Sequence, residues 1–112
     1  MDCLFCSIIK GDIPSKKVYE DERCYAFYDI NPQSPVHFLV IPKLHLSSAD
    51  AITEENSVYV SHIFEVIPKI AKELDLSDGY RIITNVGENG CQSVKHLHFH
   101  VLGGKKLSEN MA

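Results

Sequence analysis

Ser93-Val94-Lys95-His96-Leu97-His98-Phe99-His100-Val101-Leu102-Gly103-Gly104 holds three of the chain's six histidines at alternate positions, with apolar residues between and after them. Period-two alternation rich in aromatic and β-branched residues predicts a strand over residues 94–102. Successive strand side chains point to opposite faces, so His96, His98 and His100 share one face while Leu97, Phe99 and Val101 turn to a core. Neighbouring imidazoles then lie about 7 Å apart along the strand. Such a row can bind a metal, carry protons or attack an electrophile, and neutral imidazole is a good nucleophile toward phosphorus. The bland alternatives are a chance histidine run on a wet strand or a histidine-rich metal patch. Strict alternation inside an otherwise apolar strand favours chemistry.

Working outward, 112 residues make one domain, and 45% apolar content supports a modest core. The formal charge of −4 and the lack of a basic run argue against polymeric nucleic acid and for a small nucleotide. No apolar run approaches a membrane span. The first residues, Met1 to Phe5, show no charged leader or signal-like run, so the expected location is the cytoplasm. Four cysteines there read as thiols or metal ligands rather than disulfides.

In order, a short helix is predicted over residues 3–10, capped by Asp2 and stopped by Gly11. Cys3 and Cys6, at i and i+3, face the same way. Strands are predicted over 17–20 and 24–29, then a Pro-rich loop at 31–35, then a nearly continuous apolar strand over 36–41 interrupted by His37. Thr53 is the expected N-cap of a long helix with Glu54 and Glu55 in its first turn, an apolar stripe from Val60 to Leu74, and a local kink at Pro68. A strand over 80–85 and a Gly-containing loop over 86–93 lead to the histidine strand. Cys24 reads as a buried hydrophobe, and His62 has no assigned role. The expected class is α+β: a five-stranded antiparallel sheet with a short N-terminal helix and one long helix, the helices on one side, and a loosely held polar tail from Lys105.

From about Leu4 to Gly104 the chain resembles the histidine triad superfamily, whose signature is His-x-His-x-His followed by two apolar residues. The flanks Gln92-Ser93-Val94 and Val101-Leu102-Gly103-Gly104 are similar to its Hint branch of nucleoside phosphoramidate hydrolases. The resemblance implies the same sheet, joined into ten strands in a homodimer, and purine nucleotides (AMP, GMP and their phosphoramidates) as ligands. It places His98 as the nucleophile that becomes nucleotidylated, and His100 against the phosphate or leaving group. It makes His96 a support that orients the neighbouring imidazole, and His37 a buried fourth histidine beside His98. Ser93 would assist the leaving amine; on its residues alone it reads as a loop serine bonded to its own backbone. Asp29 would hold the ribose hydroxyls, though a strand-end cap fits the residue equally well. Asn85 and Gln92 flank a loop whose backbone N–H groups suit phosphate. Phe5, Ile13, Phe27 and Ile30 match positions of the base pocket, while each alone reads as core. Cys91 stands where the family has glycine.

Zinc takes four N or S ligands in a tetrahedron, and Cys3-x-x-Cys6 supplies two. Some bacterial-type triad proteins resemble this chain in carrying that pair, and there His45 and His96 complete a structural site. Four protein ligands leave no open position for catalysis. Three rivals stand beside the phosphoramidase reading. Dinucleoside polyphosphate hydrolysis is disfavoured by Ser93 and the Leu102-Gly103-Gly104 ending. A nucleotide-binding regulator with residual activity fits Cys91 and the tail without tryptophan. A zinc-dependent interaction module would need the metal but not His98.

Overall fold

From Val36 to Pro42 every residue but His37 is apolar, and all but the first are buried. Cys24–Tyr28 is the same kind of strand, buried at its first four positions. Strands buried on both faces need cover on both faces, and that requirement sets the architecture. The computed structural model describes residues 3–112. Its elements are α1 (Leu4–Lys10), β1 (Lys17–Glu20), β2 (Cys24–Tyr28), β3 (Val36–Pro42), a 3-10 turn (Ala49–Ala51), α2 (Ser57–Glu73), β4 (Tyr80–Ile83) and β5 (Phe99–Gly103). The strands form one sheet in the order β1-β2-β3-β5-β4, and every neighbouring pair is antiparallel. The α+β class and five-stranded sheet are as expected.

The helices do not share one side. The stripe Ile63, Val66, Ile67 and Ile70 of α2 packs on Ala26, Phe38, Val40, Leu97, Phe99 and Val101. Phe5 and Ile8 of α1 pack on Tyr25, Phe27, Leu39 and Ile41. These two sets alternate along β2 and β3, so the helices lie on opposite faces. The expected single layer underestimated how apolar the polar-looking face is. Among the described residues, no helix is long and apolar enough to cross a membrane.

Boundaries moved where local chemistry competed with pattern. α2 begins at Ser57 rather than after Thr53, because the Asn56 side chain accepts from the Thr53 N–H at 2.7 Å and folds 53–56 into a turn. Glu54 and Glu55 therefore precede the helix. β2 and β4 stop at Tyr28 and Ile83, one and two residues short of expectation. The expected cap Asp2 lies outside the described residues; the N-cap position is Cys3, whose sulfur accepts from the Cys6 N–H at 3.3 Å.

His62, given no role by the sequence, anchors α2 to the β1–β2 turn. Its Nε2 lies 2.6 Å from Asp21 Oδ2, which also accepts from Tyr19 Oη at 2.8 Å. The other Asp21 oxygen accepts from the N–H groups of Arg23 and Cys24. Burial would raise the Asp21 carboxyl, but these donors, Arg23 N–H first, hold it well below the usual carboxylate range. Cys24 is fully buried, and burial pushes its thiol up to about 12, so it behaves as the expected hydrophobe.

Pro68 lies inside α2, and the helix runs through it. Its ring removes the N–H that would meet the Phe64 carbonyl. Both residues are on the solvent side, where an unpaired carbonyl costs least. Restoring that hydrogen bond with Pro68→Ala is expected to raise the unfolding free energy by about 1 kcal/mol or more, read by urea titration. An unchanged or lower midpoint would show that the proline fits α2 without cost.

Candidate active site

The histidines lie on the α1 face, and β5 starts later than the alternation predicts. Its ladder covers Phe99–Gly103, leaving His96, Leu97 and His98 as the approach to the strand. Side-chain alternation nevertheless persists: Leu97 joins the α2 core, while His96 and His98 are buried beneath α1. Phe5 of α1 sits edge-on to both rings, with centroids 5.9 Å from His96 and 5.2 Å from His98. The row is thus roofed by α1 rather than facing water. Before Phe99 the backbone bonds outside the ladder: the His96 carbonyl meets His98 Nδ1, the Leu97 N–H donates to the Leu46 carbonyl, and the His98 carbonyl accepts from Thr84 Oγ1.

A carbonyl only accepts and an N–H only donates, so three backbone groups settle the tautomers. Nδ1 of His98 lies 2.7 Å from the His96 carbonyl oxygen and must carry the proton, leaving a lone pair on Nε2. The Gln33 N–H donates to His37 Nδ1 at 3.0 Å, so His37 Nε2 carries the proton and donates to His100 Nδ1 at 2.9 Å. His100 therefore presents an N–H at Nε2. His37 is buried as expected, but it holds His100 rather than His98. The third group, the Pro42 carbonyl, accepts from His96 Nε2 at 2.9 Å and leaves the His96 Nδ1 lone pair free for another partner.

Nε2 of His98 has no partner among the described residues, yet none of their fully buried side-chain nitrogens or oxygens lacks one. The Nε2 edge is therefore what keeps His98 3% exposed. Burial first, then the neighbouring imidazoles His98 and His37, push His100 down to about 4, against the pull of Asp29. Burial likewise lowers His37 and His96. For His37, His96 and His100 the neutral imidazole is thereby the stable form at neutral pH.

Beside His37 opens a cleft of about 750 Å³, lined by Ile8, Ser15, Phe27, Asp29, Ile30 and Pro32 among others. Asp29 meets its strand-end reading with one oxygen and faces the histidines with the other. Oδ1 accepts from the Asn31 N–H at 2.8 Å, a local turn, while Oδ2 lies 3.5 Å from His37 Nε2 and 4.0 Å from His100 Nδ1. Ile30 is fully exposed on the rim, and Phe27 is a buried wall. Phe5 belongs to the roof over His98, and Ile13 is 37% exposed outside the lining. Ile8 and Ser15 line the cleft without a sequence signal; both follow from the docking of α1 and the turn after it.

The loop before the histidines is held by its own residues. Asn85 Nδ2 donates to the Gly90 carbonyl at 2.6 Å. Gln92 Oε1 accepts from the Gly87 N–H at 3.0 Å, and its Nε2 donates to the Ser47 and Val94 carbonyls. Asn85 and Gln92, expected to flank a phosphate-binding loop, brace that loop with these atoms. The N–H groups of Cys91 and Gln92 also bond within the loop. Cys91 takes φ 59°, the left-handed region that glycine adopts freely, at a cost of about 1–2 kcal/mol. Ser93 is exposed and its hydroxyl bonds nothing among the described residues, so the local backbone bond of its bland reading is not made.

The four expected metal ligands converge. His45 Nδ1 lies 3.1 Å from His96 Nδ1 and 3.3 Å from Cys6 Sγ, and His96 Nδ1 is 3.3 Å from Cys3 Sγ and 3.5 Å from Cys6 Sγ. All four donor atoms fall within 4.8 Å of one another. Zinc bonds of about 2.0–2.3 Å give tetrahedron edges of about 3.3–3.8 Å, so the set fits such an ion. The Pro42 carbonyl turns the His96 lone pair into the cluster, the outer-shell bond expected of a histidine ligand. A 2.6 Å bond from the Leu97 N–H to the Leu46 carbonyl brings the His45 and His96 segments together.

The HIT domain family matches residues 10–107. The chain is 45% identical to a 14 kDa zinc-binding protein of Zea mays over 94% of this chain and 84% of that one. A histidine triad protein from Clostridium difficile is 53% identical, with a TM-score of 0.95 over 98% of this chain and 96% of that one. A HIT family hydrolase from Clostridium thermocellum is 44% identical, with a TM-score of 0.96 over 99% and 97%.

The buried imidazoles make stability depend on pH. The folded chain protonates His100 only near 4, whereas an unfolded histidine does so near 6.5. Between those values the unfolded state binds more protons, so stability is full above 6.5 and falls as pH drops. His100 accounts for about 2 kcal/mol of that loss at pH 5. Melting curves of the wild type and His100→Asn from pH 7.5 to 4.5 are expected to show a shallower slope in the variant. Parallel slopes would remove His100 as the source.

Proposed function

The chain belongs to the HIT domain family, and from that premise we propose that it is a nucleotide hydrolase cleaving purine nucleoside phosphoramidates through a nucleotidyl-His98 intermediate. One observation carries the reading. Beside a nucleoside-sized cleft lined by Asp29 and His37, backbone bonds leave a lone pair on His98 Nε2 and a proton on His100 Nε2, with the two rings 5.1 Å apart and His100 2.9 Å from His37. A nucleophile beside a hydrogen-bond donor is what displacement at phosphorus needs.

The base and ribose of an AMP or GMP moiety occupy the cleft, with Asp29 accepting from the ribose hydroxyls and Phe27 and Ile30 against the base. His98 Nε2 attacks the α-phosphorus, and the phosphorus–nitrogen bond breaks. The amine leaves with the electron pair and takes a proton delivered through the Ser93 hydroxyl. His100 Nε2–H bonds the phosphate oxygen as charge builds. Water then attacks the same phosphorus, the bond to His98 breaks, and the nucleoside monophosphate departs while the proton from water passes to solvent. His98→Ala is expected to lower kcat/KM for an adenosine phosphoramidate by at least about 10⁴-fold. Intact mass should show a transient nucleotidyl adduct on the wild type alone. Equal turnover by both proteins would reject covalent catalysis at His98.

Cys3, Cys6, His45 and His96 hold a structural zinc in this reading, and a bound ion would cross-link α1 to the approach of β5. A homodimer is supported by the exposed Val58 and Phe64 of α2 and by the position of β4 at the edge of the sheet. Metal analysis is expected to give about one zinc per chain, lost in Cys6→Ser, with a melting temperature about 10 °C lower or more. Residual turnover of the variant at 25 °C separates this structural role from an interaction module that depends on the metal. A zinc-free wild type of full stability would refute the assignment.

A further inference from the structure

Strand register places a second functional region on the far side of His100. The Asp29 N–H bonds the His37 carbonyl, His37 pairs with Leu102, and Leu102 pairs with Arg81. Paired residues share a face, so Asp29, His37, Leu102 and Arg81 form one row across the sheet on the α1 side. Phe27, Leu39, His100 and Ile83 form the next. His100 thus stands between two open regions. Toward β2 lies the nucleoside cleft. Toward β4 lies a groove of about 530 Å³ lined by Gln33, Arg81, Leu102, Lys105, Lys106 and Ser108 among others. Arg81 is the diagonal neighbour of His100, about 7–8 Å away by sheet geometry. Gln33, on the groove wall, supplies the N–H that fixes the His37–His100 relay.

The groove's charge opposes that of the chain. The chain is net −4, yet three cations and no carboxylate line this region. Asp75 and Asp78 line a neighbouring depression with Lys105 and Lys106, and Asp78 lines another with Arg81 and both lysines. Among the described residues, neither lysine nor Arg81 is in an ion pair within 4 Å. Arg81 is instead oriented by the tail, donating from Nη2 to the Ser108 carbonyl at 2.6 Å, with its remaining N–H groups unspent. With the nucleoside on the β2 side of the phosphorus, the group displaced from it leaves on the β4 side.

Building on the hydrolase reading, we propose that this groove is the leaving-group subsite and that Arg81, Lys105 and Lys106 select an anionic leaving group, one carrying a carboxylate or a phosphate. An amino acid joined through its amine would leave as the free amine after gaining one proton. A nucleoside phosphate would leave as an anion with the electron pair of the broken phosphorus–oxygen bond. The groove contacts the part of the substrate that departs, so it acts on choice of substrate rather than on attack by His98.

The test compares kcat/KM for three substrates: the N-linked phosphoramidate of AMP with aspartate, the same compound as its uncharged diamide, and diadenosine triphosphate. Wild type is expected to favour at least one anionic substrate over the diamide by about tenfold. In Arg81→Gln/Lys105→Gln/Lys106→Gln that ratio falls to about one. Lys105→Gln/Lys106→Gln, which leaves the Arg81–Ser108 contact in place, is expected to lie between. Which anionic substrate is preferred tells a carboxylate source from a phosphate source. Equal or better cleavage of the diamide by the wild type, or a ratio unchanged in both variants, overturns the subsite. Failure of the wild type to cleave any of the three, with no adduct on His98, overturns the hydrolase reading instead, and the subsite falls with it.

Discussion

Everything at the site depends on the one-way character of backbone hydrogen bonds. Imidazole is ambiguous, since either nitrogen donates or accepts. The His96 carbonyl, the Pro42 carbonyl and the Gln33 N–H remove that ambiguity for His98, His96 and His37. His37 then passes its setting to His100. The outcome is a lone pair and a proton facing outward side by side, and a second lone pair facing inward among sulfurs. Burial keeps His37, His96 and His100 neutral so that their settings hold. A protonated His37 would have no acceptor to offer Gln33, and the relay would break at its first link.

The two helices divide the labour. The long α2 covers one face with an aliphatic stripe, and Asp21 ties it to the β1–β2 turn through His62. The short α1, seven residues, is below the length at which a helix persists alone. It stays in place through Phe5 and Ile8 and through the sulfurs of Cys3 and Cys6 against His45 and His96. The cover over His98 is therefore the least self-sufficient element of the fold, stabilised at its N-terminal end by four side chains that converge on one point.

What could be read in advance follows from what patterns encode. Alternation placed Leu97, Phe99 and Val101 against the core and the histidines opposite, and that survived even where the ladder did not form. Gly11 ended α1 as expected, with φ 85°. The donor spacing of Cys3-x-x-Cys6 was legible, as was the unbroken apolar run of β3. The second face of the sheet was legible too, in that run, but the expectation of both helices on one side left it without cover, and α1 supplies that cover. The hidden features depend on contacts distant in sequence. No local signal marks His62 as the partner of Asp21, 41 residues away. Thr53 is drawn into a turn by the Asn56 side chain, and α2 starts later with no side-chain cap bond. Arg81 gains meaning only from strand register. The resemblance implied His37 beside His98, whereas it meets His100, a neighbour that only the position of β3 against β5 decides.

His96 carries two duties through two different parts of itself. Its ring faces the sulfurs, while its carbonyl sets the proton on His98. Every amino acid brings a carbonyl, but only a few bring a metal ligand. The two duties can therefore part company over evolutionary time. A lineage that exchanged Cys3, Cys6 and His45 for packing residues would lose the clamp yet keep the hydrogen bond that points His98 outward, provided the chain path at His96 held. A metal held there would be an accessory that descent can discard, whereas the bend of the backbone is not.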